Sequence, residues 1–190
     1  MSMYSVLQPM ADASPLSSLA PPGHRLHSTL EEIRASAPVQ DFFSFSFVRN
    51  PWSRLASMYS FTAAGKADPV LYPEYHAAAR AVRNGGIVEF LHRFADHPLL
   101  APQSAWVCLD GVVAVEFLGR FESLARDWEA VAARIGIDGA ALPHANRSGA
   151  GDYRGLFTDA AAAAAGEHFR ADIDLFGYRF DDLAPRAAAE

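Results

Sequence analysis

Residues 42–59 read Phe42-Phe43-Ser44-Phe45-Ser46-Phe47-Val48-Arg49-Asn50-Pro51-Trp52-Ser53-Arg54-Leu55-Ala56-Ser57-Met58-Tyr59. The first seven are aromatic-rich and mostly apolar on both faces, the pattern of a central strand buried from two sides in a parallel sheet. The run stops at Arg49-Asn50-Pro51, where Asn50 suits a helix N-cap and Pro51 a first helical position. Behind them Trp52, Leu55, Ala56 and Tyr59 recur at i, i+3, i+4 and i+7, the apolar stripe of a helix. Ser53, Ser57 and Ser60 fall on a neighbouring face. The stretch predicts a strand, a tight turn and a helix.

Outward from it, Thr29 to Ser36 reads as a short helix. After a Gly- and Pro-punctuated stretch (65–73), Ile87, Phe90, Leu91 and Phe94 give a helical stripe started near Gly85-Gly86. Val112 to Phe117 reads as a second buried strand after the turn at Asp110-Gly111. Ser123 caps a helix with the stripe Leu124, Trp128, Val131 and Ile135, closed by Gly136. A loop follows, then a last helix from Thr158. Alternating strands and helices predict an α/β fold with a mainly parallel sheet. Residues 1–23, rich in Ser, Pro and Ala, are expected to be a poorly ordered leader, 24–183 one α/β domain and 184–190 a flexible tail.

The chain has 190 residues, 51% hydrophobic and 20% charged, which suits one soluble domain with a core of its own. A single cysteine, Cys108, excludes a disulfide framework and a four-cysteine zinc site. The net charge of −6 argues against a nucleic-acid or anionic-membrane binder. No apolar run approaches the ~20 residues of a membrane helix. The start lacks the basic and apolar regions of a secretory signal, so a cytoplasmic location is expected. No cluster of His, Cys and carboxylates has metal-ligand spacing, so no metal is expected. Lys66 is the only lysine among the cations, and the others are arginines, whose rigid fork suits phosphate and sulfate.

Open α/β sheets bind ligands at the carboxyl ends of their strands. Strong anion chemistry stands at such an end between Arg49 and Ser57. A helix start offers amide donors and partial positive charge. Arg49 adds a permanently charged fork, Ser57 a hydroxyl, and Arg54 is a further candidate. Together they form a cradle for a phosphate dianion. The competing interpretation pairs Arg49 with a carboxylate and leaves the serines lining a solvated face.

The stretch Arg49-Asn50-Pro51-Trp52-Ser53-Arg54-Leu55-Ala56-Ser57 resembles the 3′-phosphate motif of sulfotransferases that use 3′-phosphoadenosine-5′-phosphosulfate (PAPS). Pro102-Gln103-Ser104, Leu118-Gly119-Arg120-Phe121-Glu122-Ser123-Leu124, Leu142-Pro143-His144-Ala145-Asn146-Arg147-Ser148 and Asp174-Leu175-Phe176-Gly177-Tyr178-Arg179-Phe180 are similar, in the same order, to segments of the carbohydrate-type, family-2 sulfotransferases. The resemblance implies a P-loop-NTPase-like three-layer fold and a sulfuryl transfer from PAPS to a hydroxyl, expected to be that of a carbohydrate. It implies that Arg49 and Ser57 hold the 3′-phosphate, that Arg147 and Ser148 close over it, and that His27 acts as base, with His24 its competitor. Arg120 and Glu122 are expected to brace a strand-to-helix turn as an ion pair.

The family's amino-terminal 5′-phosphosulfate loop, Pro-Lys-x-Gly/Ala-x-Thr-Ser, has no counterpart here, since no lysine precedes Lys66 and no glycine precedes Gly23. The expectation is a chain lacking that loop together with the first strand and helix. A sheet edge exposed in this way would invite a homodimer. It also raises an alternative: a degenerate or truncated relative that only binds adenosine 3′,5′-bisphosphate or a sulfated glycan. A nucleotide kinase or NTPase is disfavoured, because no Gly-x-x-x-x-Gly-Lys-Ser/Thr occurs.

Overall fold

A computed structural model describes residues 29–36, 41–137 and 152–182. The expected leader and tail, His27, and the loop carrying Arg147 and Ser148 lie outside the described residues. In chain order the elements are α1 (Leu30–Ser36), β1 (Phe45–Val48), α2 (Pro51–Ala63), α3 (Pro73–Phe94), α4 (Ser104–Val107), β2 (Cys108–Leu109), β3 (Val112–Val113), β4 (Phe117–Arg120), α5 (Leu124–Ile135), α6 (Asp159–His168) and α7 (Arg170–Phe176). They fall into two compact units, with boundaries after Val48 and Pro102 and again between Arg147 and Ser148.

The first unit is a mixed helix and sheet body. Strand β1 pairs in parallel with β4, with Phe45 opposite Phe117, Phe47 opposite Gly119 and Val48 opposite Arg120. Phe43, Phe45 and Phe47, two residues apart and so on one face, pack with Phe117 against Trp128, Val131 and Ala132 of α5. Only Val48 is fully buried along β1, rather than both faces as the composition suggested. The second strand also differs from expectation. Val112 and Val113 turn back on Cys108 and Leu109 as an antiparallel hairpin, and the strand that joins β1 comes later, at 117–120. Asp110 (φ 50°) and Gly111 (φ 76°) supply the two left-handed positions such a tight hairpin needs.

Helix α1 opens with a reciprocal cap: the Thr29 amide donates to Glu32 and the Glu32 amide to the Thr29 hydroxyl. At the other end of the unit Ser123 precedes α5, but its hydroxyl donates to Asp127 at 2.8 Å instead of accepting from an amide. The same carboxylate accepts the Arg120 amide at 2.8 Å, which fixes the chain as it leaves β4.

The second unit is helical. Helix α2 begins as the sequence predicts, with Asn50 accepting from the Ser53 amide and Pro51 in the first turn. Helix α3 starts thirteen residues before Gly86, at Pro73, so the expected start near Gly85-Gly86 is instead an elbow. Gly86 sits at φ 70°, ψ −165°, a conformation essentially reserved for glycine. The elbow folds the helix back on itself. Tyr75 and Phe94 would stand about 28 Å apart on a straight helix, yet their rings stack at 4.2 Å. The last helix begins under a Thr158 cap as expected, but breaks at Phe169 into α6 and α7. Trp52, Leu55, Val82, Phe90, Leu100, Ala165 and Phe169 form the core of this unit.

Candidate functional site

The chain leaves β1 at Val48 and enters α2 at Pro51, so Arg49 and Asn50 alone make the turn. Asn50 is completely buried and uses both ends of its amide. Its Oδ1 accepts from the Ser53 amide at 3.1 Å, while its Nδ2 donates to the Arg179 carbonyl at 2.8 Å. Trp52 is anchored in the same way, donating its indole N–H to the Ala162 carbonyl at 2.8 Å and meeting the Phe180 ring edge-on. The turn is thus locked from the carboxyl-terminal end of the unit.

Arg49 is half-buried, and its Nε donates to the Ser53 hydroxyl at 2.9 Å. That contact holds the guanidinium against the first turn of α2. Ser57 lies one turn further on, about 6 Å along the axis, partly exposed on the side of Ser53. The structure therefore brings Arg49, Ser53 and Ser57 together along one helix face. Of the amides at the helix start, Pro51 has none and that of Ser53 is taken by the cap. Anion chemistry here rests mainly on the guanidinium and hydroxyls, with the helix dipole as support. A permanent cation beside hydroxyl donors fits a phosphate dianion.

Arg54 does something else. Its Nη1 donates to the Ala101 carbonyl at 2.9 Å and its Nη2 to the Leu99 carbonyl at 2.6 Å, with the Phe169 ring 5.8 Å away. Burial lowers its pKa, and the charge of Asp172 opposes that shift. His168 completes the grip through Nε2 on the Leu100 carbonyl at 3.1 Å. Arg54 is a clamp on residues 99–101 and leaves the cradle.

Two features had no signal in the spacing: the second hydrogen bond of Asn50, and Tyr153, whose hydroxyl donates to the Phe180 carbonyl. Only the joint occurrence of the motif with the ending Gly177-Tyr178-Arg179-Phe180 could have pointed to them. Among the described residues no group of three His, Cys, Asp or Glu side chains could hold a metal ion. No helix among them is long and apolar enough to cross a membrane.

Arg49 is thus held against the capped start of α2, with the Ser53 and Ser57 hydroxyls following it along the helix. The sequence model of the sulfotransferase family matches residues 19–179, and the chain belongs to that family. No curated protein and no solved structure matches it.

Proposed function

We propose that this chain transfers a sulfuryl group from PAPS to a hydroxyl of a carbohydrate, with Arg49 and Ser57 holding the donor's 3′-phosphate. One observation carries the reading: the Arg49–Ser53 hydrogen bond, which sets a bidentate cation at the start of a helix whose next turn presents Ser57. Arg147 and Ser148 close over the same phosphate, and the three-layer, P-loop-like arrangement of the family belongs to this reading.

PAPS, when bound, supplies a sulfuryl group whose bond to the 5′-phosphate oxygen breaks as the acceptor oxygen attacks sulfur. The bonding pair leaves with adenosine 3′,5′-bisphosphate, and the acceptor proton passes to a base, for which His27 is the candidate. Arg49 anchors the nucleotide end remote from the reacting sulfur. Such binding serves positioning, on which transfers of this kind chiefly rely.

The test is calorimetric titration with adenosine 3′,5′-bisphosphate beside a sulfate-transfer assay from PAPS over a panel of sugars. Saturable binding that Arg49→Ala removes, together with transfer, is the expected result. Equal affinity in the Arg49→Ala protein would overturn the assignment. A second reading rests on the lysine count: Lys66 is the only lysine, so the family's donor-loop lysine has no counterpart among these residues. Binding of the bisphosphate or of a sulfated glycan without turnover would select that reading.

A further inference from the structure

Two buried side chains hold one short stretch of backbone. Asn50 Nδ2 donates to the Arg179 carbonyl at 2.8 Å and lies 3.5 Å from the Asp182 carbonyl. The Tyr153 hydroxyl donates to the Phe180 carbonyl and lies 3.4 Å from the same Asp182 carbonyl. The stretch is stiffened from within, because the Arg179 amide donates to the Asp182 carboxylate at 2.7 Å. From Asn50 the connection continues through its Oδ1 to the Ser53 amide, and from the Ser53 hydroxyl to Arg49 Nε. Tyr153 therefore stands at one end of a series of hydrogen bonds, joined through the 179–182 backbone and Ser53, that ends on the guanidinium.

We infer that Tyr153 is a positioning residue for the 3′-phosphate site, setting Arg49 through the 179–182 backbone and Asn50; this rests on the functional reading above. Its hydroxyl contacts backbone carbonyls, and its ring is packed edge-on against Phe157 and Phe180. Ring and hydroxyl thus have separable roles. Burial pushes the phenol up to about 12, which keeps the hydroxyl a donor throughout the neutral range. Asn50 has acceptable substitutes as a cap but none as a link. An aspartate keeps the cap oxygen, loses the Nδ2 donor and sets a negative charge against the Arg179 carbonyl.

The informative quantity is a ratio: the affinity for adenosine 3′,5′-bisphosphate over that for adenosine 5′-monophosphate, by calorimetry well below the melting temperature. Loss of global stability leaves this ratio unchanged in the folded protein, whereas misplacing Arg49 lowers it. Tyr153→Phe should reduce it about threefold to tenfold, the net effect of one hydrogen bond, and Asn50→Asp should reduce it further. Thr158→Ala, which removes the α6 cap elsewhere in the unit, should lower the melting temperature and leave the ratio at the parent value. Should Tyr153→Phe not fold, Asp182→Ala on an exposed residue of the same stretch carries the test. A parent ratio in Tyr153→Phe, or an equal drop in Thr158→Ala, overturns the inference alone. A parent protein with no preference for the bisphosphate overturns the functional reading, and the inference with it.

Discussion

Arg54 donates through Nη2 to the carbonyl of Leu99 over 2.6 Å, although 45 positions separate the two in sequence. The second arginine of the motif is thereby committed to the protein's own backbone. Lysine cannot span the Leu99 and Ala101 carbonyls together. Arg54→Lys should lower stability by about 1.5–3 kcal/mol, the worth of one charge-assisted hydrogen bond, while leaving bisphosphate affinity within twofold. Urea unfolding and calorimetry on the same preparations check both halves.

The first arginine should behave in the opposite way. Arg49→Lys keeps the charge and loses the fork, so bisphosphate affinity should fall about tenfold to a hundredfold. The variant also gives up the Nε bond to the Ser53 hydroxyl, and its melting temperature should fall far less than its affinity. Titration and a thermal scan distinguish this from general unfolding.

Gly119 lies opposite Phe47 in the β1–β4 ladder, and a Cβ there would stand 2.5 Å from the Phe47 ring and 3.2 Å from Asp127 Cβ. Gly119→Ala should destabilise by about 1–3 kcal/mol through overpacking. Phe47→Leu in the same chain should recover part of that loss. Denaturant midpoints of the single and double variants give the coupling directly.

Asp127 sets an acid limit. Burial pushes its carboxyl up, but the Arg120 amide, the Ser123 hydroxyl and Arg126 outweigh this and leave it below the ordinary 3.8. The native state then holds that proton less tightly than the unfolded chain. The resulting stabilisation is complete above about pH 5 and drains away as pH falls through the native value. Asp127→Asn should therefore be less stable than the parent at neutral pH, with the gap narrowing as pH falls through the native value. A gap constant across that range in urea titrations would contradict the assignment.

How far the sequence could be read depended on whether a signal was local. The Asn50 cap, the Pro51 start, the Gly136 stop and the Thr158 cap are encoded within a turn of where they act, and all appear in place. The strand at 112–117 was misplaced because a run of valines fits either a hairpin arm or a ladder strand, and the left-handed pair Asp110-Gly111 selects the hairpin. The arm of α3 before Gly86 is hard to read because half of its stripe, Tyr75, Ala78, Ala79 and Val82, is alanine and the stripe is interleaved with charge. At the site, Arg49 and Ser57 were legible as a motif. The fate of Arg54 was not, since its partners are carbonyls that carry no residue identity.

The elbow at Gly86 has a consequence for how the second unit assembles. Because the two arms of α3 lie side by side, Tyr75 meets Phe90, Phe94 and His97 across a connection of only some twenty residues. Closing so short a loop costs little chain entropy, and contacts close in sequence form fast. This aromatic pile can therefore consolidate early as a seed, while the long-range ties from Asn50 and Trp52 to the far end of the chain wait for the last helices. The Arg49–Asn50 turn is then among the final parts of the unit to become rigid, and its order a report on the completion of folding.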